Sequence, residues 1–148
     1  MASNAFSSST VPWVSVSFVS IARSFAGGIM LLTPQLGGKF FGIPLAPETN
    51  VLGRLFGIRD LTLGLLLWKV SSAFSGRAPQ VGAALVGHSA RDFKHVLVIG
   101  AIVDSVDVIS CLISAWHGEI EGKALFWGPF GAGLFAVLQL LAWRKVKG

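Results

Sequence analysis

Charge is scarce in this 148-residue chain. Asp, Glu, Lys and Arg make up 13% of it, against about a quarter in an ordinary soluble domain. Hydrophobic residues reach 53%, and the mean hydropathy is +0.70. That balance argues against a water-solvated globule and for a membrane protein, of a length that suits one domain. Cysteine is scarcer still. Cys111 stands alone inside an apolar run, so no intrachain disulfide can form. It reads as a small buried residue, with a covalent nucleophile as the lesser alternative. No His-x-x-His or Glu-x-x-His pair occurs among the apolar segments. The diiron bundle pattern is therefore missing, and no metal is expected. There is no Gly-x-Ser-x-Gly elbow, Cys-x-x-Cys, phosphate loop or convincing dinucleotide fingerprint, so no cofactor is expected either. The net charge of +5 comes from 12 basic and 7 acidic residues. The basic residues gather on no polar face and instead flank apolar segments. That excludes a nucleic-acid partner and matches topology signals. The N-terminal stretch has no basic n-region, and Arg23 interrupts the run that follows. A retained first helix is expected there rather than a cleaved signal. No lipidation or retrieval motif is visible at the C-terminus.

What is present is four apolar segments. Residues 1–10 are Ser-rich and expected to be a disordered tail. A first segment spans about Val11 to Thr33, with Pro12 suited to a first turn and Trp13 to an interface. Gly27 and Gly28 would allow close helix contact. Residues 34–50, rich in proline and glycine, read as a structured or interfacial loop and not a helix. A second segment spans about Val51 to Phe74. A polar linker follows, whose 79–90 portion is left open between loop and helix. The third segment spans about Phe93 to Trp116, and the fourth about Ala124 to Trp143. Each approaches or exceeds the ~20 residues that cross a hydrocarbon core of ~30 Å. The expected fold is all-α: a four-helix transmembrane bundle, up-down, with one membrane domain over residues 11–143. Lys69, Arg77, Arg91 and Lys94 flank the middle linker, and residues 144–148 form a basic tail. By the positive-inside rule both termini and that linker are expected in the cytosol, with the endoplasmic reticulum as the membrane.

The second segment carries Arg59 and Asp60 side by side within GRLFGIRDLTLG. Charges at membrane depth are rare and usually mark function. At 1.5 Å per residue, the up-down topology brings Arg23, Arg59, Asp60, Asp104 and Asp107 to one level. Asp104 and Asp107, three apart, share a helix face, with Cys111 four further on. Expected pairings are Arg59 with Asp104 or Asp107, and Arg23 with Asp60. The formal charge of the layer is −1 when all five groups ionise. One proton on a carboxyl neutralises it and leaves an acid beside a base. The bland alternative is a set of ion pairs tying the bundle together. Such pairs add little net stability, because desolvation offsets the attraction.

His95 and His117 read as interfacial residues rather than catalysts, and His88, seven residues before His95, would share its face if the third helix starts early. GPFGAG, residues 128–133, reads as close packing or pocket space on a helix without charge. Phe40, Phe41, Phe56, Trp127 and Phe130 cluster toward the side opposite the termini. They read as interface anchors or as the wall of an apolar ligand site with cation-stabilising faces. Arg23, Phe56, Trp127 and Phe130 are the candidate substrate-binding residues.

GRLFGIRDLTLG, the helix bearing Asp104 and Asp107, and the Gly-rich last helix together resemble a family over about residues 15–143. It comprises small fungal four-helix membrane proteins known only as a domain of unknown function, distantly similar to DoxX-like proteins. The chain is also similar in kind to polyketide-pathway hydrolases of the aurovertin and citreoviridin type. That resemblance implies opening of polyene epoxides to diols or cyclic ethers. It carries over only to Arg59, Asp60, Asp104 and Asp107 as catalytic candidates. Epoxide opening needs an acid at the ring oxygen and a base for water or an internal hydroxyl. The expected function is thus a membrane-embedded epoxide hydrolase or cyclase. Asp107 or Asp104 would be its base, Asp60 its acid and Arg59 its organiser. Its partners would be an apolar small molecule and membrane lipid, with a homo-oligomer compatible. The competing expectation is a non-catalytic protein that binds a lipid or a partner subunit. A proton or ion pathway ranks last, since Ser15, Ser17, Ser20 and Gln139 are the few polar residues in the other half of the helices.

Overall fold

Positions at alternating steps of three and four residues are buried, with Val19, Val70 and Ala101 buried beside them. On α1 (Trp13–Leu32) they are Val16, Ser20, Arg23, Gly27 and Met30. On α3 (Asn50–Phe74) they are Gly53, Gly57, Asp60, Gly64, Leu67 and Ser71. On α4 (Ala90–Trp116) they are Phe93, Leu97, Gly100 and Asp104. This is the 3.5-residue repeat of side chains that interlock between nearly antiparallel helices. The structure, a computed structural model, describes residues 13–74 and 90–146. The expectations for residues 1–12, the middle linker with Arg77 and His88, and Lys147 lie outside the described residues.

Among the described residues there are five α-helices and no strand. Four are long. The fifth, α2 (Pro34–Phe41), lies where a loop is expected. The proline and glycines of this stretch punctuate a helix rather than prevent one. Pro34 occupies the first turn, where its missing N–H is no loss. Gly42 closes the helix at φ 79°, a left-handed cap that glycine adopts without strain. A short 3₁₀ turn, Pro47–Thr49, leads into α3, and α5 (Lys123–Lys145) completes the chain. Three helical stretches are long and apolar enough to cross a membrane: Val14–Leu32, Arg91–Trp116 and Lys123–Lys145. α3 has 25 residues, but Arg54, Arg59, Asp60 and Lys69 interrupt its apolar character.

The helices form two hairpins, α1 with α3 and α4 with α5, joined along the α3–α4 and α1–α5 seams. The first hairpin is close because its seam is made of small residues. A methyl group on Gly57 would sit 2.8 Å from the Gly27 carbonyl oxygen, and one on Gly64 2.8 Å from the Ser20 carbonyl oxygen. Ser20 donates its hydroxyl proton to the Gly64 carbonyl at 2.7 Å. Gly28, the neighbour of Gly27, faces open space, so only one of that glycine pair serves contact.

Burial is uneven along the bundle axis. Val16, Val19, Leu67, Val70, Phe93, Leu97, Ala142 and Val146 form one tight cluster. It contains the start of α1 and the residue after α5, so both ends of the described chain lie at the same end of the bundle. Toward the other end, beyond Asp104, no residue of α4 is buried. On α5 no residue between Ala124 and Ala136 is buried. The α1–α3 hairpin stays packed through this half, at Gly27, Met30, Gly53 and Gly57.

Candidate functional site

The five charged residues expected at one level do meet. Each comes from the inward stripe of its helix, or from the position beside it. Arg59 and Asp60 are adjacent on α3, about 100° apart around the axis, so Asp60 points at α1 while Arg59 reaches α4. Arg59 grips Asp107 with both prongs, Nη1 to Oδ1 at 2.9 Å and Nη2 to Oδ2 at 2.7 Å. This two-pronged geometry is the strong form of the guanidinium–carboxylate pair. Asp60 Oδ1 accepts from Arg59 Nη2 at 3.3 Å and from Arg23 Nη1 at 3.3 Å. Arg23 Nη2 donates to Asp104 Oδ1. Arg23 pairs with Asp60 as its position implies; Asp104 pairs with Arg23, not with Arg59.

Gln139 of α5 completes the network. Its Nε2 donates to Asp104 Oδ2 at 2.6 Å and to the Phe135 carbonyl at 3.1 Å. Gly100 makes this possible, because any side chain there would collide with the Gln139 amide. Sequence reasoning noticed Gln139 only as an isolated polar residue. The signal that marks it is its place on the inward stripe of α5, between Ala136 and Ala142, all three buried.

The network has a sealed half and an open half. The side chains of Arg23 and Asp104 are 1% and 4% exposed, whereas those of Arg59 and Asp107 are 34% and 24% exposed. Asp60, at 11%, bridges the two halves. Arg59 stacks over Phe56, 4.6 Å from its ring centre, and Arg23 lies 5.8 Å from the Phe135 centre. The Nε atoms of both arginines are buried without a hydrogen-bond partner among the described residues.

The other candidates separate from this layer. Phe56 joins it through Arg59. Trp127 and Phe130 belong to a half-exposed aromatic cluster that ties α2 to α5. Phe40 stacks on Trp127 at 6.2 Å, and Phe126 stacks on Phe130 at 5.0 Å. His95 and His117 are exposed near opposite ends of α4. Within GPFGAG, a methyl on Gly128 would sit 2.8 Å from Cys111 Sγ, while one on Gly131 would meet nothing within 4 Å. Packing therefore explains the first glycine and space the second. Among the described residues, no three His, Cys, Asp or Glu side chains converge as metal ligands do.

An all-helical protein with an interior charge network and three helices long and apolar enough to cross a bilayer is the class that fold and site define. Residues 20–143 match the family described as Domain of unknown function (DUF4267), and the chain belongs to that family. No curated protein and no solved structure matches the chain.

Proposed function

We propose that this protein is a membrane-embedded epoxide hydrolase or cyclase acting on an apolar, polyketide-type substrate. The observation that carries the reading is the exposure of the Arg59–Asp107 pair beside a sealed Arg23–Asp104–Gln139 group. A pair held only for architecture gains nothing from standing a quarter to a third open. In the proposed reaction Asp107 accepts a proton from water or from an internal hydroxyl. That oxygen bonds to an epoxide carbon as the ring C–O bond breaks. A protonated Asp60 delivers its proton to the departing ring oxygen. Arg59 touches both carboxyl groups and orients them. Asp104 is a positioning residue here, because its side chain is 4% exposed and closed off from a substrate, whereas that of Asp107 is 24% exposed. The resemblance of the sequence to epoxide-opening polyketide hydrolases is what selects epoxides as the substrate class.

The same reading places the four long helices up-down across the endoplasmic-reticulum membrane, with both termini cytosolic. Lys69, Arg91, Lys94, Arg144 and Lys145 at one end support it. A glycosylation acceptor inserted in the 117–122 link should be modified, and one appended after residue 148 should not.

The test of activity is incubation of membranes containing the protein with polyene bis-epoxides, read by mass spectrometry for diols or cyclic ethers. Asp107→Asn should lower turnover by at least ~10²-fold, the scale of a lost general base, with the protein still folded. Normal turnover in that variant overturns the assignment.

A second reading has its own observation. Arg23 is buried and its two Nη atoms are held by Asp60, Asp104 and the Gly100 carbonyl, as in a purely structural clamp. A non-catalytic protein that binds a lipid or partner subunit predicts that Arg59→Asp combined with Asp107→Arg restores what either change loses. Catalysis does not survive that exchange.

A further inference from the structure

We infer that the half of the bundle between the charged layer and α2 is a binding cleft for an amphiphile with an uncharged, oxygen-bearing head and an apolar chain. This rests on the proposed site but not on its chemistry. The first observation is the one-sided burial described above: α1 and α3 stay packed while the inward residues of α4 and α5 are left only partly covered. From Asp107 to Trp116 the cleft runs nine residues of α4, about 14 Å.

Open space inside the register is the second observation. Gly131 lies on the inward stripe of α5, between Gly128, which meets Cys111, and Phe135, which meets Arg23. Yet a methyl on Gly131 would meet nothing within 4 Å. Along the facing side of α4, Asp107, Ser110, Cys111 and Ser114 repeat at three- and four-residue steps, a polar line on a stretch whose other residues are apolar. At the far end α2 closes toward α5. A methyl on Gly42 would lie 2.8 Å from the Ala124 nitrogen, and Phe40 stacks on Trp127.

The charged layer at the inner end sets the head group. Arg59 already satisfies Asp107, and three carboxyls stand against two guanidiniums. A carboxylate or phosphate head would add negative charge to a layer that already lacks a cation. A hydroxyl, carbonyl or epoxide oxygen can instead accept from Arg59 and, where it bears a proton, donate to Asp107. The third-exposed Arg59 at membrane depth calls for such a neighbour, since bare hydrocarbon solvates it poorly.

Cys111 is the only cysteine in the chain, so it reports on the cleft without labelling elsewhere. The experiment follows its modification by methyl methanethiosulfonate in the purified full-length protein, in detergent, by mass spectrometry. Tetradecanol should slow modification about tenfold at a concentration about ten times its Kd. Tetradecane and myristate should each do distinctly less. Gly131→Phe should slow modification by itself and abolish the effect of tetradecanol. Should that variant not fold, the comparison of the three compounds on the unmodified chain decides. An unchanged rate with tetradecanol overturns the proposal, as does equal protection by tetradecane or by myristate. Protection by phosphatidylcholine nanodiscs that tetradecanol cannot increase also overturns it, because a resident phospholipid is then the occupant. Tetradecanol has no epoxide to open, so failure of the hydrolase reading leaves this result unaffected.

Discussion

Arg23 and Asp107 belong to one network, yet their substitutions are expected to behave differently. Arg23→Leu removes the cation from between Asp60 and Asp104, two carboxyl groups whose side chains are 11% and 4% exposed. Breaking a buried pair in this way costs about 3–5 kcal/mol, and unfolding in mixed micelles should show a loss of that size. Asp107→Asn leaves Arg59 with Asp60 and with an amide oxygen as acceptor. Its stability loss should be about 1 kcal/mol, the scale of one hydrogen bond. A large effect on turnover with a small effect on stability therefore separates chemistry from architecture at the same layer. Gly100→Ala makes the complementary test. The new methyl collides with the end of a flexible side chain, so Gln139 gives way rather than the backbone. The lost hydrogen bond to Asp104 should cost about 1.5–3 kcal/mol, the range for bonds to a charged group. Gln139→Leu combined with Gly100→Ala should add little to either change alone.

Between elements, the α1–α3 seam depends on glycine for a reason that the sequence leaves ambiguous. Gly27 and Gly28 look alike as neighbours in an apolar helix. The register decides between them: Gly27 falls on the stripe that meets Gly57 and Leu61, whereas Gly28 is rotated into open space. Gly27→Leu would drive a side chain into the backbone of α3, and the hairpin should not assemble. Gly28→Ala should be neutral, or stabilising by up to about 1 kcal/mol through helix propensity. Thermal unfolding of the two variants side by side checks this. The α2 segment shows the converse ambiguity. Proline and glycine at 34, 37, 38 and 42 read as breakers when counted. Their positions fit an N-terminal proline, a glycine cap and close approaches to Met30 and Leu45.

Over the whole molecule, the two ends of the bundle differ in packing, and their dynamics should follow. Amides of α3 near Leu67 and Val70 sit in the tight cluster with Phe93 and Leu97. Those of α4 beyond Asp107 lie on a stretch of that helix without a buried side chain. Local opening is easiest where few apolar contacts must be broken. Hydrogen exchange should therefore be slowest around 64–71 and 93–101, and at least ~10-fold faster in 108–116. Uniform protection along α4 would contradict a bundle that opens on one side.

The helical class, the four long helices to within a few residues, and the level at which five charges gather were legible in the amino-acid pattern. Hydropathy, segment length and a 1.5 Å rise suffice for that. The Arg59–Asp107 and Arg23–Asp60 pairings were within its reach, because helical spacing limits which faces can meet. Tertiary structure alone decided that Asp104 turns to Arg23 and Gln139 and that Gly100 clears the way. It also decided that Asp60 bridges a sealed half to an open one. These depend on the rotation of each helix about its axis and on the approach of α5 to α4. A linear pattern constrains depth along a helix far better than it constrains which neighbour stands across the gap.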